Sequence, residues 1–138
     1  MIINKTEGYA IKVLGLLAEK KDIPISAKKI SLILDIPYKY LARIMTKLTH
    51  HKLVDSFRGK DGGFIIARDP FLISLQDIID IFSNESVDLC IYGNGKPCNK
   101  KTKCTLHDKW NISKQAINNS FLNITIGEIS TNELNLLE

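Results

Sequence analysis

The stretch SAKKISLILDIPYKYLARIMTKLTHH, residues 26–51, decides the architecture of this chain. Ser26 is a residue type whose hydroxyl caps helix starts, and the apolar residues after it predict a short helix to about Leu34. Asp35, Ile36 and Pro37 break that helix, and another is expected from Tyr38 to about His51. Two short helices joined by a three-residue turn form a helix-turn-helix pattern. The second of them has two unlike faces. At the helical period, Leu41, Ile44, Met45 and Leu48 fall on one side, and Lys39, Arg43, Lys47 and His50 on the other.

Upstream, residues 4–20 read as a helix in which Ala10, Val13, Leu14 and Leu17 recur at core spacing, ended by Lys20, Lys21, Asp22 and Pro24. Downstream, residues 53–58 and 64–68 read as two strands, and Gly59-Lys-Asp-Gly-Gly63 supplies the turn of a hairpin. A hairpin after a helix-turn-helix is a wing. A phosphate-cradling role for these glycines does not suit their place, because they lie between strands and do not open a helix. The expected fold class is therefore mainly α with a small β-hairpin wing. Residues 1–70 form a winged helix-turn-helix domain, and residues 71–138 form a helical extension.

In that extension a short helix is expected from Ser74 to about Ser83, with Leu75, Ile78, Ile79 and Phe82 on one face. A loop over about 88–106 follows. A long amphipathic helix over about 106–124 then carries Leu106, Trp110, Ile117, Phe121 and Ile124. Thr125 and Glu128 have the capping-box spacing of one more helix start.

Charge is uneven along the chain. Residues 1–70 hold thirteen Lys/Arg and seven Asp/Glu, whereas the remainder holds six and eight, so the amino-terminal half is the part suited to a polyanion. The candidate DNA-contacting residues are Ser26, Lys28, Lys39, Tyr40, Arg43, Lys47, Arg58 and Lys60. Arg43 has the forked donor set that reads O6 and N7 of guanine, and Lys39 stands where a recognition helix enters the major groove. Tyr40 borders both faces and offers a hydroxyl to a phosphate. Arg58 and Lys60 sit beside glycines that let the wing backbone approach a groove. His50 and His51, at a helix end, are expected to cap carbonyls or face solvent. No apolar run approaches a membrane span, no export leader opens the sequence, and no nucleotide motif or second catalytic constellation is present.

All three cysteines, Cys90, Cys98 and Cys104, fall within eighteen residues of one another and of His107. Thiolates and neutral imidazole are ligands for soft and borderline metals, and three cysteines that cannot all pair suit a reducing cytoplasm. The spacing C-x7-C-x5-C-x2-H lacks the tight knuckle of structural zinc sites. An iron–sulfur cluster suits the wider loops, while zinc, a redox thiol switch and inert thiols stay open on spacing alone.

Taken together, the chain resembles the IscR/NsrR-type iron–sulfur winged-helix regulators of bacteria, most of all the IscR branch, over nearly its whole length. The resemblance rests on Cys104-Thr-Leu-His-Asp-Lys-Trp110, Phe121-Leu-Asn-Ile-Thr-Ile-Gly-Glu128, the glycine-rich wing Arg58-Gly-Lys-Asp-Gly-Gly-Phe64, Tyr40-Leu41 and Gly8-Tyr-Ala10. It implies a homodimer held by the long helix, binding operator DNA through paired winged helices, and no enzymatic activity. It also implies a cluster on Cys90, Cys98, Cys104 and His107, 2Fe-2S before 4Fe-4S, that senses iron–sulfur status, redox state or nitric oxide. Two departures stand out. The first cysteine gap is seven residues where five is commoner, and Gly8 occupies the place of the acidic ligand of the nitric-oxide-sensing branch. Glu7, next to it, is the alternative fourth ligand and would go with a 4Fe-4S sensor. The reading from another class is a zinc-stabilised, constitutive DNA-binding or protein-interaction module.

Overall fold

The computed structural model describes residues 3–82 and 105–132. Helix α1 (Lys5–Glu19) starts at Asn4, whose side chain accepts from the Glu7 amide at 2.8 Å, while the Glu7 carboxylate accepts from the Asn4 amide at 2.9 Å. This reciprocal capping box satisfies two amides that a helix start otherwise leaves unpaired. Ala10, Val13, Leu14 and Leu17 are buried, as their spacing predicts.

Helix α2 (Ala27–Leu34) is capped by the Ser26 hydroxyl, which accepts from the Lys29 amide at 3.2 Å. Asp35 ends it in the left-handed region, with φ of +52°. The Ser31 hydroxyl donates to the Ile36 carbonyl at 2.6 Å and fixes the turn before helix α3 (Tyr38–His50). Ile30 and Ile36 fill the angle between the two helices, and Leu41, Ile44, Met45 and Leu48 bury the inner face of α3. The helix-turn-helix is thus held by apolar packing on one side and leaves the cationic side outward.

Strands β1 (Val54–Phe57) and β2 (Gly63–Ile66) pair antiparallel, with Val54 opposite Ile66 and Phe57 opposite Gly63. The hairpin is stapled to the segment leading into α2: Ile25 and Phe64 exchange backbone hydrogen bonds of 3.1 and 2.9 Å. Gly63 makes this possible. Its φ is +154°, and a Cβ there would stand 2.5 Å from the Ile25 carbonyl carbon.

A 3₁₀ turn (Pro70–Leu72) leads to α4 (Leu75–Phe82), and α5 (Thr105–Ser120) and α6 (Ile126–Asn132) complete the described elements. The core does not stop at residue 70. Ile73, Leu75, Ile78, Phe82, Leu122 and Ile126 are buried in the same cluster as the residues of α1 and α3. The long helix ends at Ser120, short of the 124 that its apolar period predicts. Leu122 explains the difference. It turns into the core, and the Leu122 and Ile124 carbonyls accept from Gln76 and Leu75 at 3.0 Å each, contacts a continued helix would forbid. At α6 the Glu128 carboxylate accepts from the Thr125 amide and hydroxyl at 2.7 and 2.9 Å, the expected capping box. The backbone bond above all, then the hydroxyl, holds Glu128 below its ordinary pKa, so the clasp is present above the usual carboxylate pKa and is lost as pH falls through the lowered one.

Replacing Gly63 with alanine is expected to destabilise the chain by about 2–5 kcal/mol, from backbone strain and the collision with Ile25 together. Urea denaturation of the variant beside the parent measures it. A loss under half a kilocalorie would mean that the staple between wing and α2 is soft.

Candidate nucleic-acid interface and metal centre

Helix α3 presents its polar side because its apolar side is consumed by α1, α2 and β1. Lys39, Arg43, Lys47 and His50 are all exposed along it, and Arg58 and Lys60 are exposed at the wing tip. Ser26 opens α2 beside exposed Lys28, its hydroxyl taking the Lys29 amide. A helix start is a favourable position for a phosphate. Lys39, Arg43, Arg58 and Lys60 are not engaged by another described side chain, so their charges are available to a partner. Arg58 and Lys60 line an open groove between the wing and the α1–α2 connection, with Asp22 and Asp61 on its other margins.

Two of the sequence candidates, Tyr40 and Lys47, have additional side-chain contacts. The Tyr40 hydroxyl is hydrogen-bonded to the Thr6 hydroxyl, and its ring meets Tyr9 edge to face at 5.5 Å. Tyr40 therefore ties α3 to α1, a role that competes with donation to a phosphate. The Lys47 ammonium lies 5.6 Å from the ring centroid of Phe82, at the end of α4. His50 and His51 are exposed and stand edge to face at 5.2 Å. Two residues on the outward face escape a reading based on charge. Ala42 and Thr46 are exposed between Lys39, Arg43 and His50, and methyl groups in such places meet thymine methyls. Their signal was the same periodicity, applied to small residues as well as to cations.

Cys90, Cys98 and Cys104 lie outside the described residues. Among the described residues, no group of three or more acidic, histidine or cysteine side chains gathers to hold a metal. His107 is described. It sits in the first turn of α5, half-buried, with its Nε2 3.1 Å from the side-chain amide nitrogen of Asn111. Its neighbours on that stripe are Trp110, Asn111 and Lys114, also half-buried. Glu7 is 3% exposed, and its carboxylate is committed to the Asn4 amide. At Gly8 the space is open: a Cβ built there meets nothing within 4 Å, so a side chain is missing by sequence and not by crowding. The donor set of three thiols and an imidazole fits an iron–sulfur cluster, and α5 begins one residue after Cys104.

No residue of α5 is buried, and Leu106, Ile112 and, just beyond its end, Phe121 are exposed apolar side chains. No described helix is long and apolar enough to cross a membrane.

Comparison with known proteins agrees with this arrangement. The model of the Rrf2 family, described as iron-dependent transcriptional regulators, matches residues 3–132. The chain is 32% identical over 130 residues to the transcriptional regulator IscR of Vibrio vulnificus, covering 91% of this chain and 76% of that one. It is 31% identical over 132 residues to a chain of Aquifex aeolicus assigned to the helix-turn-helix transcriptional regulators, covering 94% and 91%. Among solved structures, CymR, the global cysteine regulator of B. subtilis, superposes with a TM-score of 0.78 at 21% identity, covering 94% of this chain and 95% of that one. IscR of T. potens gives 0.75 at 24% identity, covering 94% and 86%. These likenesses establish the winged-helix fold.

Tyr40→Phe separates the two roles of that hydroxyl. Removing the bond to Thr6 is expected to cost about 0.5–1.5 kcal/mol of stability and to leave the salt dependence of DNA binding unchanged. A salt slope shallower by about one unit would instead show a lost phosphate contact.

Proposed function

The chain is a member of the Rrf2 family of iron-dependent transcriptional regulators, and from that premise we propose that it is a cluster-bearing, dimeric DNA-binding regulator. Operator DNA is read by α3 in the major groove, with Arg43 on a guanine edge and Lys39 at the entry. Lys28, Lys47, Arg58 and Lys60 meet phosphates or the neighbouring minor groove. Two copies pair through α5, whose exposed apolar residues gain cover in doing so, and the pair presents two winged helices to two half-sites.

The cluster reading assigns Cys90, Cys98, Cys104 and His107 as ligands of a 2Fe-2S centre. The single observation that carries it is the contrast between the two candidates for the fourth position. Glu7 is buried and spent on the start of α1, while His107 stands half-buried on the first turn of α5, just past Cys104. A carboxylate released from a capping box leaves the Asn4 amide without its partner, a cost that the imidazole does not carry. When bound, the cluster supplies a one-electron couple and a ligand set that oxidants, iron shortage or nitric oxide can dismantle. The protein's own part is to convert that change into a difference in operator affinity between its states, since only a differential affinity can regulate.

Protein purified without oxygen is expected to be red-brown, with iron and acid-labile sulfide in equal amounts, and the visible spectrum is expected to change in His107→Ala and persist in Glu7→Gln. Colourless protein holding stoichiometric zinc would leave a constitutive DNA-binding module in its place. Arg43→Ala is expected to weaken specific operator binding by about 1–3 kcal/mol, read by gel-shift titration against a scrambled duplex. An equal loss on both duplexes would move Arg43 from base reading to phosphate contact.

A further inference from the structure

The side chain of Asn111 is the hydrogen-bond partner of the proposed ligand His107. The two residues are four apart on α5, so they share one face of a continuous helix. Their contact of 3.1 Å is therefore set by the helix itself, not by the cysteine-bearing segment. A neutral imidazole ligates through one ring nitrogen while the other carries a proton, and the partner of that second nitrogen determines which is which.

We propose that Asn111 is a positioning residue that keeps Nε2 of His107 and leaves Nδ1 as the nitrogen that meets the cluster. This deepens the proposed function and rests on His107 being a ligand. A side-chain amide suits the task because it has both a donor and an acceptor. It meets Nε2 by donating from Nδ2, and, turned over, accepts from Nε2–H through Oδ1 when Nδ1 is engaged by metal. A carboxylate offers only the second arrangement, and an apolar side chain neither. The amide is also neutral, so it draws less electron density onto the ring than a carboxylate partner, which leaves the iron easier to reduce than an aspartate would. Trp110 and Lys114 are half-buried on the same stripe, with the ammonium 5.8 Å from the indole ring centroid.

The test uses the full-length, cluster-loaded protein, reduced by one electron and labelled with nitrogen-15 at histidine Nδ1 alone or at Nε2 alone. The strong hyperfine coupling of a ligating nitrogen is expected in the Nδ1-labelled sample. Coupling of that strength in the Nε2-labelled sample overturns the proposal without any variant. Reduction potentials of Asn111→Leu and Asn111→Asp supply the second readout, with far-UV circular dichroism to show that α5 is kept. The aspartate variant is expected to titrate below the parent and the leucine variant above it. Coincident potentials for all three proteins overturn a positioning role. Failure of the underlying reading looks different: His107→Ala would then retain the parent's spectrum and potential, and neither labelled sample would show strong coupling.

Discussion

Burial of α1 is the constraint on which the rest of the structure depends. Ala10, Val13 and Leu14 are fully buried and Leu17 nearly so, and the helix touches α2, α3 and β2 on one flank and α4 and α6 on the other. Each such leucine contributes about 1.5–3 kcal/mol relative to exposure, so the helix is the main source of cohesion between the DNA-reading half and the carboxy-terminal helices. Close-packed interiors transmit displacement because side chains have no slack in which to absorb it. A shift of α4, which leads into the cysteine-bearing segment, is thus felt by α1 and through it by α3. Phe82 adds a shorter route, since the last residue of α4 sits beneath the ammonium of Lys47 on the recognition helix.

The polar groups divide their work along the same lines. Glu7, the one buried charged side chain among the described residues, holds the start of α1 through Asn4. Tyr40 links the outer helix to α1 through Thr6 and Tyr9. Neither group is spare. Lys39 and Arg43 on the outside of α3 and Arg58 and Lys60 at the wing tip carry no such structural contact, and the imidazole that follows the cysteines in sequence is His107. Structural demands on some polar residues thereby narrow the list of those open to function.

Much of this was legible in the residues. The two faces of α3, the Ser26 cap, the hairpin turn and the Thr125–Glu128 clasp follow from local spacing, and local spacing is what a helix or hairpin obeys. The Asn4–Glu7 capping box was legible too, at the same four-residue interval, although Glu7 reads more readily as a ligand when Gly8 beside it draws attention. Other features were not local. Leu122 leaves the helical path because a core contact captures it, and nothing between residues 106 and 124 announces that capture. The pairing of Tyr40 with Thr6 joins residues 34 apart, so it depends on the angle at which α1 and α3 cross. The bridge between Ile25 and Phe64 is more distant still in sequence, and Gly63 signals a close approach without naming the segment that approaches.

Helix α5 runs for sixteen residues without burying one of them. Under the proposed pairing, the surface that completes it belongs to another copy of the same chain. Where monomer and dimer coexist, the population able to grip two half-sites grows faster than linearly with the amount of protein made. Copy number would then be an input in its own right, independent of any chemistry at the cysteines. In that regime, trimming synthesis by half would lower the paired form by more than half, and an operator governing its own production would turn that nonlinearity into a set point.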